Sequence, residues 1–238
     1  MSPERVYSKE DGKELLAQHI ARYKFAQAFV TNKTVVDFAC GSGYGTAMLA
    51  EAKPKNVTGI DISQDAVSYA KTHFEIPGVT FLQGSSEVLS GMRAVDIIVS
   101  FETIEHLAMY DSFMEIVANV LSPNGILIIS TPVRQSDTLF DKPDNPFHLR
   151  EWNEEEFSLL LSNYFGSRDF YYQYIYKKMW YPLSRTIASS LVKKFYPDSA
   201  VQLKEFSVLS SPPNVGILPL LSAYMIVVCK KPVVKKTT

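Results

Sequence analysis

Cysteine is nearly absent from this chain. Its 238 residues include two, Cys40 and Cys229, too few and too far apart for a disulfide framework or a zinc spacing. Excess positive charge is lacking too. The 24 Lys and Arg against 25 Asp and Glu leave a formal net charge of −1, so no global field exists to hold nucleic acid. This excludes DNA and disfavours RNA as a partner. Long apolar runs are also missing. The longest, 215–229, is broken by Pro219 and Ser222 and is shorter than the roughly 20 residues of a spanning helix. The first residues, MSPERVYSKEDGKE, are polar and charged, unlike a secretory leader. The expectation is a soluble, reduced, cytoplasmic protein. At this length, with 46% apolar residues, one domain spanning 1–238 can build a full core.

What is present is an alternation of strand-like and helix-like segments, which predicts an α/β fold with a doubly wound, mostly parallel sheet. Leu16, Ile20, Tyr23 and Val30 keep helical spacing, predicting a helix over 11–30 within an N-terminal cap of 1–32. Strands are expected at 34–38, 56–61, 79–82, 95–100, 126–130, 169–173 and 223–229. Helices are expected at 46–52, 63–73, 111–121 and 153–164. The segment 95–100, VDIIVS, is nearly all apolar, as a central parallel strand should be. Pro123-Asn124-Gly125 is a strong turn signal.

The first chemical feature is VVDFACGSGYGT, residues 35–46. A strand runs into Asp37, and glycines then let the backbone turn tightly and approach a ligand. The second strand ends in Asp61, an acidic group placed to accept hydrogen bonds from ribose hydroxyls. The dinucleotide fingerprint needs three small residues as G-x-G-x-x-G/A. Here the positions hold Gly41, Gly43 and Thr46. Asp37 at the mouth of the first strand would repel a pyrophosphate and suits a ligand carrying positive charge.

The loop D-F-A-C-G-S-G resembles the nucleotide loop of class I S-adenosylmethionine-dependent methyltransferases, with Ala39 where the family usually has its first glycine. The resemblance covers about residues 10–174 and the last strand. It implies a seven-stranded Rossmann-like sheet and S-adenosyl-L-methionine as cofactor. It places the methionine moiety on the backbone around Ala39, Cys40, Gly41 and Gly43, the ribose on Asp61, and adenine against Ile62. Gly84, Ser85 and Ser86 follow the third strand, where the family contacts the adenine amine; Ser85 stands at its usual aspartate. Phe101 and Glu102 would lie near the reacting end. Related enzymes bind the cofactor carboxylate with an arginine before the first strand, and Arg22, beside Tyr23, is the candidate.

The second feature is SFETIEHL, residues 100–107, which brings Glu102, Glu105 and His106 to the carboxyl end of a central strand. The third is NPFHLREW, residues 145–152, contributing His148 and Arg150 from a loop stiffened by Pro143 and Pro146. In one reading His106 or His148, with Glu105, is the catalytic base and positioning set for a hydroxyl acceptor. In another, Glu102, Glu105, His106 and His148 bind a divalent metal that lowers the acceptor's pKa. The E-x-x-E-H order resembles the metal-binding motif of the ubiquinone-biosynthesis and small-RNA 3′-end O-methyltransferases. A third reading makes Glu105 and His106 purely structural. The expected site has no metal ion.

Residues 175–220 form an expected helical insertion, with Trp180, Leu183, Ile187, Leu191 and Phe195 at helical spacing. Its apolar stripe suits a lid over the acceptor, a homodimer contact or a lipid surface. The 145–152 pattern resembles bacterial enzymes acting on sugars, glycans or other small polar metabolites. Methyl transfer to a hydroxyl of such a molecule is the expected function. An RNA ribose 2′-O-methyltransferase and a metal-dependent phenol O-methyltransferase are the alternatives. No N-P-P-Y-like motif for planar amines follows the fourth strand. A non-catalytic module is disfavoured by the intact loop and Asp61, and a nicotinamide oxidoreductase by the glycine spacing and Asp37.

Overall fold

The structure, a computed structural model, describes residues 9–134, 143, 145–175 and 221–233. One sheet contains β1 (Thr34–Phe38), β2 (Asn56–Asp61), β3 (Val79–Gln83), β4 (Val95–Phe101), β5 (Leu121–Pro132), β6 (Phe165–Ile175) and β7 (Leu221–Pro232). Their order is β3-β2-β1-β4-β5-β7-β6. Pairings from β3 across to β5 are parallel, whereas β7 runs antiparallel to both β5 and β6. This is the expected doubly wound, mostly parallel sheet. Chain order reverses between β1 and β4, and in such sheets the crevice for ligands opens at that point.

The helices are α1 (Lys9–Gln27), α2 (Tyr44–Glu51), α3 (Gln64–Phe74), α4 (Ser86–Ser90), α5 (Tyr110–Val120) and α6 (Glu154–Ser162). None of the described helices is long and apolar enough to cross a membrane. Strand alternation divides the core into two layers. Val36 and Phe38 of β1 face one layer with Ile98, Phe113 and Trp152. Val35 faces the other with Tyr23, Leu49, Ile97 and Val99. Helix starts follow local chemistry. Ser63 accepts the Ala66 N–H, and Asn153 with Glu156 forms a capping box.

Three boundaries depart from the sequence reading. Val30 is buried but lies beyond α1, in a turn where Phe29 and Lys33 donate to Ala26 and Val30 carbonyls. α4 was not expected, because five residues are too few to show a period. The strand expected at 126–130 begins at Leu121, and the Pro-Asn-Gly turn becomes an irregularity between Val95 and Ile97 in the β4 pairing. Residues 176–220, almost all of the expected insertion, and the first eight residues of the N-terminal cap lie outside the described residues.

Candidate active site

The loop after β1 has positive φ at Ala39 (62°), Gly41 (55°) and Gly43 (86°). Glycine enters this region without strain, whereas alanine pays a steric penalty of roughly 1–2 kcal/mol. Gly43 is required twice over, since an added Cβ would also lie 2.6 Å from that of Ala70. Ala39→Gly is expected to stabilise the fold by roughly 0.5–1 kcal/mol, the relieved strain less the added chain entropy. Urea unfolding checks this; a lower midpoint contradicts it. Asp61 fixes the loop from β2, one carboxylate oxygen accepting from the Gly41 N–H (2.7 Å) and the other from the Ser63 N–H (2.8 Å).

Asp37 lies beneath this loop, fully buried, and not on a ligand-facing wall. Its carboxyl accepts from the Thr46 hydroxyl (2.6 Å) and the Tyr23 hydroxyl (3.2 and 3.3 Å), tying α1 and α2 to β1. The Tyr23 ring sits where a Cβ on Gly45 would be 2.0 Å from it, so only glycine admits this contact. Burial pushes Asp37 up from 3.8 to about 7, against the pull of the Thr46 and Tyr23 hydrogen bonds. The folded state therefore holds a proton that the unfolded state has released. That stabilisation is complete below about 3.8 and lost as pH rises through about 7. Stability to urea should fall over this window, and Asp37→Asn should flatten the fall. An identical pH profile in the variant contradicts the assignment.

At the sheet's switch point a cavity of about 1000 Å³ opens. Of the residues expected at a cofactor site, Ala39, Asp61, Ile62, Gly84, Ser85, Ser86 and Glu102 line it, and so does His106. Cys40, Gly41, Gly43, Phe101, Arg22 and Tyr23 do not form its wall, although Gly41 and Gly43 shape the loop that does. Cys40 is buried, and Phe101 packs edge-on against Tyr23 at 5.2 Å. The Ser85 hydroxyl caps α4 by accepting from Glu87 N–H. The sequence reading missed Tyr69, Thr103, Leu107, Met109 and Phe113. Tyr69 could have been found from its place on the first face of α3, with Asp65 and Ala66, directly after the acidic end of β2.

Arg22 is wholly buried on α1. One terminal nitrogen donates to Gln173 Oε1 at 2.6 Å, and the guanidinium lies 4.6 Å from the Tyr224 ring centroid. Its Nε and Nη2 have no hydrogen-bond partner among the described residues.

Beyond β4 the chain enters a 3-10 turn, Ile104–His106, through Glu102 at φ 50°. A non-glycine residue held there stores strain, often at functional sites. Glu102 is held by the Ser130 hydroxyl, which donates at 2.7 Å, and burial raises its pKa. The 145–152 loop closes onto this turn: Leu149 N–H donates to the Glu105 carbonyl at 2.8 Å. His106 Nδ1 lies 2.9 Å from the Phe147 carbonyl, which can only accept, so Nδ1 carries a proton and, in the neutral ring, Nε2 the lone pair. His148 is oriented by Glu151 (2.6 Å to Nδ1) and Asn145 (2.9 Å to Nε2), and its ring meets that of His106 edge-on at 4.9 Å. Ligating atoms of Glu105, His106 and His148 all lie within 4.8 Å of one another.

Glu105 is the most constrained member, with its side chain fully buried. Neither carboxyl oxygen has a hydrogen bond of good geometry among the described residues, although the Thr131 hydroxyl is near enough to favour the charged form. Burial, and then the charge of Glu102, drive its pKa well up. A buried carboxylate without compensation is costly, so this one either keeps its proton or meets a cation.

The methyltransferase domain family profile matches residues 30–183. Over 146 residues the chain is 33% identical to a "probable S-adenosylmethionine-dependent methyltransferase" of Mycobacterium tuberculosis, covering 60% of this chain and 52% of that protein. A ubiquinone biosynthesis O-methyltransferase of Rickettsia felis is 33% identical over 104 residues, 43% of this chain and 42% of that one. The chain thus spans about half the length, or less, of these curated relatives. Among solved structures, the methyltransferase complexed with the Haloferax volcanii Trm112 activator superposes with a TM-score of 0.62 at 18% identity, over 94% of this chain and 95% of that one. At that identity the likeness speaks for the fold alone.

Proposed function

The chain belongs to the methyltransferase domain family, and from that premise we propose that it moves the methyl group of S-adenosylmethionine onto a hydroxyl oxygen of a small molecule. The observation that carries this reading is one cavity lined both by Asp61, at the end of β2, and by His106, after β4. S-adenosylmethionine supplies a methyl carbon already activated by its sulfonium.

The residues present suit that cofactor. Asp61 can accept from ribose hydroxyls with the lone pairs left after its two backbone contacts. Ile62, 73% exposed beside it, offers an apolar surface to adenine. Arg22 is not among the cavity-lining residues, but its Nε and Nη2, without a partner among the described residues, suit a carboxylate. For the transfer, this chain must hold the acceptor in line and take up its proton. His106 is placed for the second task, its tautomer fixed by Phe147 so that Nε2 accepts. Glu105 and His148 position it. Small polar molecules, sugars and glycans are the acceptors expected from the 145–152 sequence. A ribose hydroxyl of RNA is disfavoured by the balanced charge. A labelled-methyl screen over sugars, phenols and RNA tests the reading; transfer to RNA alone contradicts it.

A second reading rests on the convergence of Glu105, His106 and His148. With the Asn145 amide displaced from His148 Nε2, these three would hold a divalent cation, whose charge would compensate Glu105 and acidify the acceptor hydroxyl. The Nδ1 contacts of both histidines to Phe147 and Glu151 are the kind that orient metal-binding imidazoles. Chelation by EDTA decides between the readings. With His106 as base the rate stays unchanged. With a required cation it falls and returns on adding Mg²⁺, Mn²⁺ or Zn²⁺.

A further inference from the structure

Large exposed apolar side chains are ordinary when scattered and informative when gathered. Among the described residues nine stand out; three of them line one cavity, and two more stand on the loop bonded to its wall. Ile62 (73% exposed), Tyr69 (50%) and Met109 (71%) line the cavity directly. Phe147 (42%) and Leu149 (60%) belong to the loop bonded to its wall. The Phe147 carbonyl holds His106 Nδ1, and the Leu149 N–H donates to Glu105. Arg150 pins the same loop by donating to the Tyr110 hydroxyl at 3.0 Å.

The two halves of this rim serve different ends of the site. Ile62 and Tyr69 flank Asp61 and so belong to the nucleoside side. Met109 lines the cavity on the His106 side, and Phe147 and Leu149 stand exposed on the loop whose backbone bonds to His106 and Glu105. Behind them the wall continues as Leu107, Ala108 and Phe113. Beside His106 the lining sets the apolar Leu107, Ala108, Met109 and Phe113 next to the polar Glu102 and Thr103. A sugar seated against the apolar stretch would bury hydroxyls without partners there, which is unfavourable for each one. A hydrocarbon body would instead cover exposed Met, Phe and Leu while its hydroxyl reaches His106.

We propose that the acceptor is an amphiphile, a hydroxyl on an alkyl or aryl-alkyl body, whose apolar part rests on Met109, Phe147 and Leu149. This rests on the methyl-transfer reading and narrows its substrate class away from sugars. The transfer balances simply: an oxygen–carbon bond forms, the carbon–sulfur bond breaks, and the hydroxyl proton passes to His106.

The test uses the full chain saturated with S-adenosylhomocysteine and titrated calorimetrically with two matched pairs, phenol with para-octylphenol and methyl glucoside with octyl glucoside. Both octyl compounds are kept below the concentration at which they aggregate. Each octyl compound should bind at least roughly tenfold more tightly than its short partner, a modest return for several methylenes leaving water. Phe147→Ser with Leu149→Ser should remove most of that preference while homocysteine-product affinity stays. Leu159→Ser, a 70% exposed leucine on α6, should keep the preference and so excludes general stickiness. Equal affinities within each pair, no binding by either octyl compound, or a preference untouched by the double variant overturns the proposal, as does a loss shared by the Leu159 variant. If S-adenosylhomocysteine itself does not bind, the methyl-transfer reading fails first, and the two failures are told apart.

Discussion

Asp61→Ala is expected to weaken S-adenosylhomocysteine binding by roughly 100- to 1,000-fold, the loss of one or two hydrogen bonds to a charged group at about 1.5–3 kcal/mol each. The size of the effect comes from two tasks on one side chain. The carboxylate holds the Gly41 and Ser63 N–H groups at 2.7 and 2.8 Å, and this fixes the loop at the cavity edge. Its remaining lone pairs face the cavity. If Asp61 takes the ribose as proposed, alanine removes that acceptor and releases the loop together. Asp61→Asn separates the tasks. Its amide keeps one acceptor oxygen but sets an NH₂ against a backbone N–H, so affinity should fall between wild type and alanine. Isothermal titration of the three proteins checks this. If the alanine variant binds within about threefold of wild type, a difference under 1 kcal/mol, the ribose assignment is wrong.

His106→Ala is expected to lower kcat by roughly 100- to 10,000-fold, the usual range for losing a general base, with S-adenosylhomocysteine affinity little changed. The ring lies on the cavity wall, and its tautomer is set by a carbonyl 2.9 Å away. On the proposed reading its contribution falls in the chemical step and not in holding the nucleotide. Added imidazole should restore part of the rate in the alanine variant if the lost group was a proton acceptor. If the lost group was instead a metal ligand, imidazole without added cation should restore nothing in an EDTA-treated sample. A kcat within about twofold of wild type removes His106 from the chemistry.

The sheet was legible because it depends on patterns that survive in one dimension. Val95–Phe101 reads as a buried run because both of its faces are covered. Ser63 and Asn153 announce their helices because capping is local. The glycine loop and Asp61 announce a crevice at the strand ends, and Ala39 and Asp61 do line a cavity there. What the sequence could not show depends on packing across the chain. Asp37, at the mouth of β1, reads as a ligand group, yet its side chain points down onto Thr46 and Tyr23. Nothing in the order of residues reveals that Tyr23 packs over Gly45 to reach it. Arg22 reads as a surface or cofactor arginine, but is fully buried against Gln173 and Tyr224 from strands about 150 or more residues away. The SFETIEHL and NPFHLREW motifs could be named separately. Their union through Phe147, Leu149 and Glu105 is a tertiary contact. Met109 gives no signal in the sequence, because a lone exposed methionine means nothing until its neighbours are known.

The most direct test of the account is a pair of titrations of the intact chain, one with S-adenosylhomocysteine and one with NAD. The pocket beside Asp61 predicts saturable one-to-one binding of the first and none of the second at the same concentrations. Binding of NAD without S-adenosylhomocysteine would contradict the account at its root.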